Sequence, residues 1–310
     1  MKLRSLAVAA VLLSLTGGLA ACGEASTAQP AAGTKLAVVA TTTQVADFAR
    51  IIGGDRVAVT QILKPNIDPH DYEPTPADLT AIGAATVLVK SGVGVEGWLD
   101  ATVGSAGFKG TLVDASTGVK IRQGEGDEEK TGDPHIWHDP RNAKLMAQNI
   151  EKAFAAAATA DAAAFAEHLA GYSAKLDALD ANIAAKIAKL PASDRKLVTN
   201  HDAFGYYIDR YQLEFVGSII PSFDTSAELS AKDIDDIVAK IRQTGAKAVF
   251  SESSLPPKTA EAIARQAGVK VVAGEDALYG DTLGPEGSAG DTYLKMMEHN
   301  TDTIVKAIGG

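Results

Sequence analysis

The sequence is short of the residues and runs that several common functions require. One cysteine in 310 residues, Cys22, leaves no internal disulfide framework and no Cys-rich zinc site. Basic residues are outnumbered, 29 Lys and Arg against 39 Asp and Glu, for a net charge of −10. Without Lys2 and Arg4, which fall in a segment read below as removed, 27 basic residues face 39 acidic ones and the charge is −12. That balance excludes nucleic acid as a partner, because phosphate binding needs clustered positive charge, and it suits a cationic ligand. No uninterrupted run of about 20 apolar residues is present to make a spanning helix. No Gly-x-Ser-x-Gly elbow or Walker A loop occurs, and no Gly-x-Gly-x-x-Gly opens the first helix, so nucleophile and nucleotide sites lack support. What is there is 46% hydrophobic and 22% charged, with a mean hydropathy of +0.02. These are the figures of a soluble globular chain, long enough for one large domain or two lobes.

Residues 1–4 carry two positive charges, residues 5–15 are apolar, and Leu19-Ala20-Ala21 precedes Cys22. A basic start, a short apolar stretch and small residues before a cut make a secretory signal over residues 1–21. Cysteine directly after Leu-Ala-Ala looks like a bacterial lipobox, so Cys22 is expected to carry lipid as the first residue of the exported chain. Residues 22–34 are small and polar and read as a flexible tether with a root-mean-square reach of about 20 Å. The expected location is outside the cell, lipid-anchored to the outer face of the cytoplasmic membrane.

Strands are predicted at 35–40, 57–63 and 86–90, with helices at 44–52, 76–85 and 94–105. The rhythm returns with strands at 196–199, 214–219, 248–251 and 270–272, and helices at 203–211, 230–244, 257–267 and 291–308. Such alternation predicts parallel sheets covered on both faces. Between the two series, residues 161–190 place Phe165, Leu169, Tyr172, Leu176, Leu179, Ile183, Ile187 and Leu190 on one helical stripe. Asp161 stands where a cap belongs, Pro191 lies just past the end, and the rod is about 45 Å long. The expected class is α/β: two (β/α) lobes with parallel sheets, residues 35–160 and 191–310, joined by one long linking helix over 161–190.

Six histidines are present, and His70, His135, His138 and His201 sit in loops that follow strands or open helices. Ligands of open α/β sheets gather beyond the carboxyl ends of the strands, where these loops fall. Asp68, Asp71, Asp133, Asp139 and Asp202 are their neighbours, and a metal-binding imidazole usually has its second nitrogen fixed by a carboxylate or carbonyl. Spacing leaves open whether His135 and His138 are both ligands or one ligand with a neighbour. Were both bound with water in an open position, the chain would be an exported metallohydrolase. A surface adhesin would suit the lipid anchor but leaves the histidines unexplained. His168, in the linking helix, reads as a surface or lobe-contact residue, and His299 as structural.

Four motifs, DPHDYEPTPAD (68–78), GDPHIWHDPRN (132–142), TNHDAFGYYIDRYQL (199–213) and GDTYLKMMEHNTDTI (290–304), resemble the solute-binding lipoproteins of zinc and manganese ABC transporters. The resemblance covers about residues 35–308. It implies a two-lobed, non-enzymatic protein with a long linking helix, one metal in the cleft and a membrane permease as partner. Monomer is the default state for such a tethered shuttle. The family's ligand positions fall on His70, His135, His201 and Asp281, the third being a Glu in many manganese-type members. His138 is not a ligand position in the pattern; with Asp139 and Asp202 it is expected to support the ligands from behind. Three imidazoles and a carboxylate make the closed four-coordinate site that zinc prefers, so Zn2+ is the expected metal and Mn2+, which favours harder oxygen ligands, the alternative. The chain departs from many zinc-type relatives at residues 122–133 (RQGEGDEEKTGD), a short acidic loop without histidine, read as a weak cation collector or simply a solvated loop.

Overall fold

The computed structural model describes residues 35–124 and 132–309. The expected signal, the tether with Cys22 and residues 125–131 of the acidic loop lie outside the described residues. β1 (Leu36–Ala40), β2 (Val57–Gln61), β3 (Val87–Lys90) and β4 (Thr111–Asp114) form a parallel sheet in the order β2-β1-β3-β4. Four helices accompany them: α1 (Thr43–Gly53), α2 (Pro76–Ala84), α3 (Leu99–Ala106) and α4 (Pro140–Ala157). Because strand side chains alternate, Val38, Ala40, Val87 and Val89 pack with α1 and α4, while Val39 and Leu88 pack with α2 and α3. Both faces are thus covered, which is why β1 and β3 read as unbroken apolar runs.

Two local differences from the sequence reading have physical reasons. Helix α3 begins at Leu99 and not at residue 94, since Gly92, Val93 and Gly94 have φ of 97°, 55° and 83°, and a right-handed helix cannot pass through such residues. Edge strand β4 was not expected; of its four residues only Val113 is buried, and Leu112 is 42% exposed, so no apolar run marks it.

Helix α5 (Ala162–Ala188) is the predicted strut, 27 residues and about 40 Å long. Phe165, Tyr172, Leu176, Leu179, Ile183 and Ile187 are buried along it. Asp161 does not cap this helix; a 3-10 turn (Thr159–Asp161) leads into it and the carboxylate meets Arg56 Nη1 at 2.5 Å. The strut touches both halves. His168 Nδ1 lies 2.9 Å from Ile52 O, and Asp180 accepts hydrogen bonds from Arg210 and Tyr211.

The second half comprises β5 (Lys196–His201), α6 (Gly205–Tyr211), β6 (Glu214–Ile220), α7 (Ala231–Thr244), β7 (Ala248–Phe250), α8 (Lys258–Ala267), β8 (Lys270–Val272) and α9 (Tyr293–Ile308). Strands β5 and β6 pair in parallel, as do β7 and β8, and β7 lies beside β5. Val198, Val216, Ile237, Ile241, Val249 and Ile263 bury these strands under α7 and α8. Capping boxes at Thr75/Asp78 and Ser230/Asp233 fix where α2 and α7 start. The segments that follow β1, β2, β4, β7 and β8, with the carboxyl end of β5, build the site described next.

Candidate metal centre

The tripeptide Asp-Pro-His occurs twice, at 68–70 and 133–135. In each copy the aspartate accepts the backbone N–H of the histidine: Asp68 Oδ1 from His70 at 2.9 Å, Asp133 Oδ1 from His135 at 3.0 Å. The proline between them has a fixed φ and no competing N–H, so the short turn holds the imidazole in one direction. Asp133 Oδ1 also lies 2.9 Å from His135 Nδ1. His201 has no such turn and is the last residue of β5. Its N–H and its Nδ1 both face Glu252 Oε1 at 3.1 Å, and Glu252 follows β7 directly. Two of the three rings therefore spend Nδ1 on a carboxylate and leave Nε2 bare.

Those bare nitrogens converge on Asp281. His135 Nε2 is 3.3 Å from Oδ1, His201 Nε2 is 3.2 Å from Oδ2, and the two Nε2 atoms are 3.3 Å apart. His70 Nε2 closes the group at 3.9 Å from Oδ2. All four donors lie within 4.8 Å of one another. A tetrahedral ion bound at 2.0–2.1 Å separates its donors by about 3.3–3.4 Å, which the edge between His135 and His201 already matches, while each of these rings approaches a different oxygen of Asp281. The side chains of His135, His201 and Asp281 have no exposed surface, and His70 has 6%. Among the described residues, His70 Nε2 and both Asp281 oxygens find no hydrogen-bond partner. Buried polar atoms left in this way are costly unless a cation satisfies them.

The electrostatics point the same way. Burial works against a charged His135, yet Asp133 and Asp281 outweigh it and push the imidazole up to about 9. Burial likewise opposes a charged His201, but Asp281 and Glu252 hold it well above its ordinary value. Asp281 is desolvated too, and His201 and His135 nevertheless keep it well below the usual carboxylate range. His70 is pulled down by burial, with Asp281 resisting. The cluster thus favours positive charge among buried carboxylates.

Asp281 is held from several sides. Gln44 Nε2 donates to its backbone O at 2.8 Å, Leu283 N–H donates to Thr43 Oγ1 at 2.8 Å, and Asn66 N–H donates to Thr282 Oγ1 at 3.0 Å. Trp137 Nε1 donates to Gly280 O at 3.0 Å, and His138 Nε2 lies 3.0 Å from the same oxygen. His138 therefore braces the loop of Asp281 and offers nothing to the donor cluster; burial, aided by His135, pushes it down to about 3, so it is neutral.

The other two expected supports stand elsewhere. Asp139 caps α4 through Arg141 N–H at 2.9 Å and pairs with the Arg141 side chain. Asp202 donates its N–H to Ser222 O, and burial with Asp133 nearby pushes its carboxyl up to about 6. The carboxylates that hold imidazoles are Asp133 and Glu252. The repeated Asp-Pro-His signals the first; nothing local signals the second, 51 residues from its histidine. His299 bonds Ala277 O and packs on Tyr279, a structural place. Residues 92–97, GVGVEG, do fit the phosphate-loop spacing after β3. There, however, the buried Glu96 carboxylate accepts the Ser91 and Gly92 N–H groups, occupying the amides a phosphate would need.

Two parallel α/β halves, a helical strut and a closed cage of imidazoles and carboxylate define a two-lobed metal-binding protein of the solute-binding class. The chain belongs to the family of the periplasmic zinc-uptake complex component A (ZnuA), which matches residues 38–307. Among curated relatives, the manganese-binding lipoprotein MntA of Bacillus subtilis is 33% identical over 306 residues, covering 96% of this chain and 98% of that one. The zinc-binding protein TroA of Treponema pallidum is 32% identical over 280 residues, 90% of each. The solved structure of that periplasmic zinc-binding protein superposes with a TM-score of 0.82 at 30% identity, covering 89% of this chain and 99% of that one.

Proposed function

We propose that this chain captures one divalent metal ion, zinc, outside the cytoplasm and delivers it to the membrane permease of an ABC transporter. The ion would be held by His70, His135, His201 and Asp281. The observation that carries this reading is the buried four-donor cluster, in which His135 Nε2 and His201 Nε2 stand 3.3 Å apart, the spacing of two ligands on a tetrahedral ion. Charge supports it as well: the buried carboxylate of Asp281 stands among imidazoles backed by the carboxylates of Asp133 and Glu252, a setting that favours a cation. The metal is cargo. Four protein donors fill a tetrahedron and leave no open position for an activated water, which favours transport over metallohydrolysis.

A lipid on Cys22 would keep the chain at the outer membrane face as a monomer, in keeping with relatives named as lipoproteins. Residues 35–160 and 191–310 would act as the two lobes about the strut. Manganese is the second reading, favoured by the relative named for manganese at 33% identity. Metal analysis of the stripped chain offered zinc and manganese together separates the two. One zinc per chain, held at about 1 nM or tighter (about −12 kcal/mol) and lost in His70→Ala and Asp281→Ala, is the expected result. Manganese retained against equimolar zinc would transfer the assignment to manganese. No stoichiometric metal would end both readings.

A further inference from the structure

The buried Asp133 carboxylate serves two partners. Oδ1 holds the N–H and Nδ1 of His135, while Oδ2 lies 2.6 Å from Arg122 Nη1. Asp133 has no exposed side-chain surface, whereas Arg122 is 30% exposed. Arg122 is itself fixed from several directions. Its Nε donates to Asp209 Oδ2 at 2.7 Å, its backbone N–H donates to Tyr206 Oη at 2.9 Å, and its guanidinium sits 5.7 Å from the centre of the Tyr206 ring. Tyr206 in turn donates to Asp133 O at 3.0 Å.

To reach Asp133 the guanidinium crosses directly over Gly205, the first residue of α6. A Cβ at position 205 would overlap Arg122 Nη1 and stand 2.7 Å from Asp133 Oδ2. Gly205 is not in the left-handed region, so space and not backbone conformation calls for glycine there. A multiply held guanidinium and a glycine that clears its path are separate features, and both converge on one carboxylate.

We propose that Arg122 is a positioning residue for metal capture, acting through Asp133 to keep the His135 ring turned with Nε2 toward the cleft. This rests on the reading of His135 as a metal ligand. Two effects oppose each other. The guanidinium repels an incoming dication, but it lies partly in water and is shared with Asp209, so its field in the cleft is screened. Removing it strands a fully buried carboxylate oxygen, and an uncompensated buried charge is the larger penalty. Asp133 then turns away toward other partners, which releases Nδ1–H of His135 from its anchor.

The test measures zinc affinity of the full chain by competition with a chromophoric chelator, beside the NMR signal of the His135 Nδ1 proton in zinc-loaded protein. Arg122→Met is expected to weaken zinc about tenfold, as loss of a ligand's outer support commonly does, and to weaken the Nδ1–H hydrogen bond of His135, seen as an upfield shift and faster exchange of that proton. Arg122→Lys recovers part of the loss, because it restores the charge without the fork. Gly205→Ala reproduces the Arg122→Met defect, and the double variant is no weaker than the worse single one. Unchanged affinity and an unchanged Nδ1 proton signal in Arg122→Met would overturn the proposal, as would losses that multiply in the double variant. If Arg122→Met unfolds at the assay temperature, Gly205→Ala, which keeps every charge, decides the question by the same two readouts. A wild-type chain without stoichiometric zinc or manganese would refute the metal reading instead; zinc-binding wild type with indifferent variants refutes only the role of Arg122.

Discussion

Asp47 shows what a single buried carboxyl costs this molecule. Its carboxylate accepts the Tyr293 N–H at 2.9 Å and so ties α1 to the start of α9. Burial pushes it up to about 6 from an ordinary 3.8, despite that hydrogen bond and the nearby Arg50. The unfolded chain loses this proton near 3.8 and the folded chain near 6, so stability falls as pH rises through that window. Above it a steady penalty on the order of 3 kcal/mol remains. Asp47→Asn keeps an acceptor and removes the charge. Its melting temperature is expected to exceed that of wild type at pH 7.5, with the gain vanishing near pH 4; equal gains at both would show that the charge is not the cause. Residues differed widely in how much of their role was legible. His70 and His135 were readable because Asp-Pro-His packs a turn and an imidazole into three positions. Glu252, equally close to a histidine, was not, because only the packing of β7 beside β5 brings it there. Asp139 and Asp202 misled because sequence proximity to a histidine says little about which way a carboxylate turns.

Elements were readable where periodicity ran long and unreadable where a loop held the conformation. The strut α5 declared itself through eight apolar residues at spacings of three and four, and its stripe is the buried one apart from the half-buried Leu169. The loop of Asp281 has no period, and only family likeness pointed to it. Its position is set by groups far away in the chain: Gln44, Thr43, Asn66, Trp137 and His138 all bond residues 280–283. Gln44 is buried, and its loss leaves the Asp281 carbonyl without that partner. Gln44→Ala should therefore cost about 1–3 kcal/mol, felt as a roughly tenfold or greater rise in the metal dissociation constant. Most of that should be faster release, since the straps keep the carboxylate in place after binding and steer nothing toward it. Stopped-flow transfer of zinc to a chelator would read the rate; an unaltered rate would mean the remaining straps suffice.

At the scale of the whole molecule, the halves are pinned together across the cleft. Thr225 Oγ1 donates to Asp68 Oδ2 at 2.6 Å, Tyr293 N–H reaches Asp47, and α5 runs beside α1, α4, α6 and α9. Wide hinge opening would break all of these at once, so loading and release should proceed through loop movement. Small-angle scattering of stripped and zinc-loaded protein is expected to give the same radius of gyration within error, and a clear expansion on stripping would contradict the pinned arrangement. The four donors also come from residues 70, 135, 201 and 281, and the strap from Gln44 joins positions 237 apart. Time enters here. A cage whose last member arrives so late in the chain cannot close while synthesis is incomplete, and contacts of such long separation are slow to form. On the proposed ligand set, the nascent chain therefore lacks the finished trap until Asp281 has been made and its loop has met Gln44.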